Sequence, residues 1–183
     1  MSCITFPNLL SLIRLGGAFS LPFLTSSSWL LFLVFALVSF SDFFDGWAAR
    51  HFNQSSSFGR FLDPFADKCL VGCVYFLLWQ IDMVPFWLTA FVIVRDVCII
   101  GGVLYLWKQK ALQSPAGPIV GPILLSKINT FLQLSYAGIA LGSLVRLWPP
   151  CPEYGLYVVA IFTLASWISY LEILISWKHE EKN

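Results

Sequence analysis

The chain has 183 residues, is 58% hydrophobic and only 11% charged, and carries a formal net charge of +1 with a mean hydropathy of +0.77. So neutral a chain offers no electrostatic footprint for nucleic acid. A soluble core of this length has no need of 8 Trp and 17 Phe spread through a continuous series of apolar runs.

Apolar stretches of roughly 20 residues cross a bilayer as helices. Six such stretches are predicted, over about 8–25, 29–48, 61–81, 84–106, 126–147 and 154–177. Their connections are short. The expectation is therefore an all-α, polytopic membrane protein with six transmembrane helices, forming one domain over 1–183 without an added soluble module. The first stretch does not read as a secretory signal, because no basic segment precedes it and Arg14 interrupts its apolar run.

Orientation follows from the basic residues. Arg50 and Arg60 flank the loop after the second stretch, Lys108, Lys110 and Lys127 lie in or beside the loop after the fourth, and Lys178 and Lys182 follow the sixth. The loops near 26–28 and 82–83 hold no Lys or Arg, and Arg146 is the one basic residue near 148–153. Both termini are thus expected on the cytoplasmic side of a bacterial inner membrane. Trp29, Trp79, Trp87, Trp107, Trp148 and Trp177 lie near predicted helix ends, as an interfacial aromatic belt requires. The five cysteines include no Cys-x-x-Cys pair and read as small apolar packing residues. Gly101, Gly102, Gly138 and Gly142 read as helix-packing positions. Glu172 reads by position as buried in the last helix.

Four of the ten acids fall in one segment, SDFFDGWAARHFNQSSSFGRFLDPFADK, at the expected cytoplasmic end of the second and third helices. Asp42 and Asp45 are three apart and share a helix face, and Asp63 and Asp67 are four apart on the next helix. Carboxylates beside a membrane interior are costly and mark functional sites. Four together repel one another unless cations intervene, and divalent metals take such hard oxygen ligands. Gly46, Ala49 and Gly59 leave room for close approach, and Arg50 offers a planar fork suited to phosphate. Pro64 directly follows Asp63, so the third helix either starts there, with Asp63 as its cap, or is kinked.

The full spacing is D-x2-D-G-x2-A-R-x8-G-x3-D-x3-D, filled by Asp42, Asp45, Gly46, Ala49, Arg50, Gly59, Asp63 and Asp67. It resembles the signature of the CDP-alcohol phosphatidyltransferase family at all of its fixed positions. The resemblance implies a metal-dependent enzyme of phospholipid biosynthesis that displaces CMP from a CDP-linked lipid by an alcohol. By position, Asp42, Asp45, Asp63 and Asp67 would hold one or two Mg²⁺ or Mn²⁺ ions, and Asp67 would also be the general base. Gly46, Ala49, Arg50 and Gly59 would shape the pocket for the cytidine diphosphate of CDP-diacylglycerol. The resemblance also implies a homodimer.

The acceptor is read from other segments. NLLSLIRL at 8–15, and Lys68 after the last acid, are similar to the phosphatidylglycerophosphate synthase and cardiolipin synthase branches of that family. Arg95–Asp96 in the fourth helix and SKINTFLQ (Ser126 to Gln133) opening the fifth look more like the cardiolipin branch. Phosphatidylglycerol is therefore the expected acceptor, with glycerol 3-phosphate the alternative. Both carry phosphate, and Arg14, Arg95 and Lys127 are candidates to bind it. The competing expectations are that Arg14 snorkels to the interface, that Arg95 pairs with Asp96, that Lys127 is a flanking anchor, and that Asn129, Thr130 and Gln133 bond across helices. A divalent-cation transporter also suits several apolar helices with acids. It would place those acids near the midplane, repeated in two halves, and no second cluster is visible.

Overall fold

The computed structural model describes the backbone of residues 6–24, 27–52, 59–108 and 124–180, and the side chains of residues 12–24, 27–41, 65–102, 104, 124–172 and 175. Among the described residues there are six α-helices and no strands: α1 Phe6–Ser20, α2 Ser28–Phe52, α3 Gly59–Gln80, α4 Phe86–Lys108, α5 Leu124–Leu144 and α6 Tyr154–Glu180. A short 3₁₀ turn, Leu21–Phe23, leads out of α1. These helices match the six predicted stretches to within a few residues at most ends. Among the described residues, by length and composition, one stretch, Tyr154–Glu172, is apolar enough to cross a membrane, while Leu12–Phe23 and Ser28–Ser41 are shorter apolar helices. Charges within α1, α3 and α4, among them Arg14, Lys68, Arg95 and Asp96, interrupt the apolar runs that the six-span expectation counts.

Helix α3 lies in the middle, packed on α1, α4 and α5. Helix α2 leans on α1 and α5, and α6 on α4 and α5. The interior has two zones. Ala18 and Leu21, Leu31 to Val38, Leu70 to Leu78, Leu88 and Val92, Tyr136 to Leu141, and Val159 form one continuous apolar core. Arg14, Arg95, Asp96, Ser126, Asn129, Gln133, Thr163 and Ser166 are buried in the other zone. Among the described side chains, α1, α3 and α5 run from the polar zone into the apolar one, and α4 and α6 run from the apolar zone into the polar one.

The turns at the apolar end follow from backbone chemistry. Asp82 (φ 57°) ends α3 in the left-handed region, and the Met83 amide closes back on the Leu78 carbonyl at 2.9 Å. A short polar side chain tolerates that conformation. Helix α5 ends the same way, with Arg146 at φ 58° and the Leu147 amide on the Gly142 carbonyl at 2.9 Å. Helix α3 starts at Gly59 and runs through Pro64, so Asp63 does not cap it. Past the first turn a proline removes one backbone bond and its ring crowds the carbonyl four residues back, which bends a helix.

Two of the expected packing glycines face neighbours and one does not. A methyl on Gly138 would touch Phe35 of α2, one on Gly142 would overlap the Trp148 indole, and one on Gly101 would meet nothing. Glu172 is exposed rather than buried, because its face of α6 points away from α4 and α5. Helix α1 packs tightly on α2 at Gly17, where an added methyl would lie 2.5 Å from a Val38 methyl. Gly17→Ala is therefore expected to cost about 1–3 kcal/mol by overpacking, seen as a lower unfolding midpoint in detergent. Adding Val38→Ala should recover part of that loss, and a further fall would refute the close approach.

Candidate active site

Asp42 and Asp45 lie on α2, and Asp63 and Asp67 lie on α3. The side chains of Asp42, Asp45, Asp63, Gly46, Ala49, Arg50 and Gly59 are outside the described residues. Asp67 is described. Arg14 of α1, with its side chain fully buried, donates from Nη1 to Asp67 Oδ1 at 2.8 Å. Arg14 therefore does not snorkel to the interface. It reaches across to the last acid of the signature, whose side chain keeps 36% exposure. A charge-assisted bond of this kind is stronger than a neutral one and restrains the carboxylate oxygen that accepts it.

The next residue points elsewhere. Lys68 Nζ lies 3.1 Å from Asp96 Oδ1 of α4 and donates to Thr130 Oγ1 of α5 at 3.2 Å. Asp96 Oδ1 also accepts from Arg95 Nη1 at 2.5 Å. Arg95 Nη2 donates to Ser126 Oγ of α5 at 3.0 Å and to Ser166 Oγ of α6. One carboxylate oxygen thus joins two cations, and the network draws four helices together. Arg95 is fully buried by it, so any phosphate reaching that guanidinium has to displace these partners.

A second network lies one turn deeper. Thr163 Oγ1 donates to Asn129 Oδ1 at 3.1 Å and accepts from Gln133 Nε2 at 3.1 Å. The Tyr75 hydroxyl donates to the Gln133 carbonyl at 3.3 Å. Asn129, Thr130 and Gln133 therefore bond across helices. Lys127 is exposed, on a different face of α5 from buried Ser126 and Asn129. Of the three acceptor candidates, Arg14 and Arg95 enter the interior and Lys127 does not.

Sequence reasoning missed Ser166, Thr163 and the bond between Lys68 and Asp96. Ser166 and Thr163 are three apart in an apolar helix, and that spacing was a legible sign of a polar face. The Lys68–Asp96 contact joins residues far apart in sequence and left no local signal.

Among the described residues no group of three or more His, Cys, Asp or Glu could hold a metal, since only Asp67 of the four acids falls among them. The donor chemistry still fits a hard divalent cation: all four side chains are carboxylates, carried towards the end of α2 and near the start of α3.

Comparison with known proteins bears on the same residues. The profile of the CDP-alcohol phosphatidyltransferase family matches residues 4–177. The chain belongs to that family. Among family members, the chain is 31% identical to the chloroplastic CDP-diacylglycerol–glycerol-3-phosphate 3-phosphatidyltransferase 1 of Oryza sativa, covering 91% of this chain and 56% of the rice protein. It is 37% identical to the cardiolipin synthase (CMP-forming) of Rattus norvegicus over 76% of this chain and 50% of that protein. It is 31% identical to the CDP-diacylglycerol–glycerol-3-phosphate 3-phosphatidyltransferase of Bacillus subtilis over 82% of this chain and 72% of that protein. The chain thus spans about half the length of the rice and rat relatives it matches.

Thr163→Val keeps the shape at the deeper network but strands Asn129 Oδ1 and Gln133 Nε2. A loss of about 1–2 kcal/mol is expected, the scale of interhelical hydrogen bonds in membranes. Denaturant titration in detergent would measure it, and an unchanged midpoint would show that Thr163 holds nothing together.

Proposed function

We propose that this chain sits in a membrane and transfers the phosphatidyl group of CDP-diacylglycerol to an alcohol with release of CMP. The observation that carries the reading is Asp67, the last acid of the signature, held by buried Arg14 at the polar end of a helical bundle. The outside of that bundle supports the membrane. Leu37 is 67% exposed, Phe131 71% and Ile161 64%, while Arg95 is 0% exposed. A water-soluble protein distributes these residues the other way round, whereas charges inside and apolar groups outside suit lipid. Half-exposed Trp29, Trp79, Trp87 and Trp148 gather at the apolar end, as an interfacial belt would. Six spanning helices, with both termini and the acids facing the cytoplasm, complete this reading, and a second copy of the chain is its expected partner.

In this reading the acceptor hydroxyl oxygen attacks the phosphorus that bears the diacylglycerol. The bond from that phosphorus to the bridging oxygen breaks, and CMP leaves with the electron pair. Asp67 accepts the hydroxyl proton as general base. Arg14 holds that carboxylate in one orientation, so the base need not search for its partner. Asp42, Asp45 and Asp63, together with Asp67, are the residues that would hold Mg²⁺ or Mn²⁺. A bound divalent cation supplies charge neutralisation along the diphosphate and on the leaving oxygen. Gly46, Ala49, Arg50 and Gly59 would line the cytidine diphosphate.

Phosphatidylglycerol is the acceptor we favour, from Arg95–Asp96 and the Ser126–Gln133 segment. Glycerol 3-phosphate is the second reading, because relatives of both names match at similar identity. Both acceptors are anionic.

Purified protein in detergent, given CDP-diacylglycerol, Mg²⁺ or Mn²⁺, and both labelled acceptors, is expected to release CMP and label cardiolipin. Labelled phosphatidylglycerophosphate would select the second reading. Chelation should stop CMP release and added cation restore it. Asp67→Asn should lower turnover at least about 10²-fold, the scale of a lost general base, while still inserting. Persistent turnover in that variant would remove Asp67 from its role, and no CMP under any condition would refute the enzyme.

A further inference from the structure

We infer that Asp96 and Lys68 form a positioning pair for the reacting centre, acting through α3 to set where Asp67 points. The inference rests on the transferase reading above. Asp67 and Lys68 are consecutive, so their side chains leave α3 about 100° apart. Asp67 is tied to α1 by Arg14 at 2.8 Å. Lys68 is tied to α4 by Asp96 at 3.1 Å and to α5 by Thr130 at 3.2 Å. Two ties at one level in two directions fix both the rotation and the height of α3. Losing one of them loosens that restraint at the level of Asp67, while the apolar packing farther along α3 stays in place.

Lys68 is well suited to this work. Its side chain is 14% exposed and that of Asp96 is 6% exposed, so neither is screened by water. Asp96 is itself aimed by Arg95, which Ser126 and Ser166 hold from two further helices. The chain of contacts runs Ser166, Arg95, Asp96, Lys68 and so reaches the helix that carries Asp63 and Asp67. Nothing in it requires Lys68 or Asp96 to touch either substrate. Their effect is on geometry, and a misplacement of about 1 Å at a reacting group costs about 10²-fold in rate.

The test is a set of variants assayed for CMP release per folded protein, with folded protein measured by size exclusion and thermal unfolding. Lys68→Met is the gentler variant, because Arg95 still balances Asp96. It should lower kcat about ten- to a hundred-fold, with KM for CDP-diacylglycerol and for the acceptor changing less than about two-fold. Lys68→Arg, which keeps the charge, should recover most of the loss. Asp96→Asn should match Lys68→Met, and the double variant should fall no further than the worse single one. If Asp96→Asn does not fold, the Met and Arg variants at position 68 decide the question alone. A raised KM for the acceptor in Lys68→Met would make Lys68 a substrate contact and overturn the inference. So would losses that multiply in the double variant, or a kcat per folded protein equal to that of the unmodified chain. Failure of the unmodified chain to release CMP would sink the transferase reading and this inference together. Unmodified turnover with undisturbed variants would sink the inference alone.

Discussion

Asp96 Oδ1 receives both Arg95 and Lys68, and the packing of four helices depends on that meeting. Taking charges out of water costs several kcal/mol per ion, even after relaxation. The cost is bearable only where each charge finds a partner at hydrogen-bond distance. No single helix here supplies both partners for all its charges. Lys68 comes from α3, the Arg95–Asp96 pair from α4, their hydroxyl partners from α5 and α6. Separating α3 from α4 would leave Lys68 without Asp96, and separating α5 or α6 would strip hydroxyl partners from Lys68 or Arg95, so the charges favour one packing arrangement over the many that apolar surfaces alone would allow. Apolar packing is forgiving of small slides between helices. A bond of 3.1 Å is not.

The same requirement explains why the interior divides into two zones. A polar network is favourable when its members share one region and satisfy one another. Scattered through an apolar core, the same groups would each be orphaned. Helices of alternating direction therefore carry their polar residues alternately at the start and at the end. Arg14 comes before Ala18 in α1, Asp42 after Val38 in α2, Lys68 before Leu70 in α3, and Asp96 after Val92 in α4. In the linear order the signature acids fall at the positions that this alternation assigns to polar residues.

That pattern made much of the fold legible. Helix number and approximate ends follow from apolar run length, because a chain this hydrophobic has little else to form. The signature is equally plain, since eight residues at fixed spacing survive in the linear order. Long-range pairing is harder to see. Arg14 stands alone in its helix, and the sequence offers it solvent, phosphate or any acid as partner; Asp67 is 53 positions away. Position along a helix also says little about which face a residue takes when the apolar pattern runs all round it. Glu172 and Gly101 were misread for that reason, both having been placed inside by height while their faces point outward.

The state of the cations bears on how an anionic acceptor would be recognised. Arg95 is the most enclosed of them, with Asp96 and two serine hydroxyls around its two terminal nitrogens. A phosphate there would have to break at least one charge-assisted bond before making its own, and the exchange gains little. Arg14 is different. Its partner Asp67 is partly exposed and lies where the reaction is proposed to occur. An acceptor phosphate approaching from that side would meet Arg14 at the same place where its hydroxyl must meet Asp67. Binding and base would then share one residue pair. The acceptor's charge would compete with the carboxylate for the guanidinium, just as its hydroxyl needs that carboxylate as a base. In the proposed reading Arg14 therefore stands nearer the reacting carboxylate than Arg95 does, and the Arg95 network is the frame that holds α3 through Lys68.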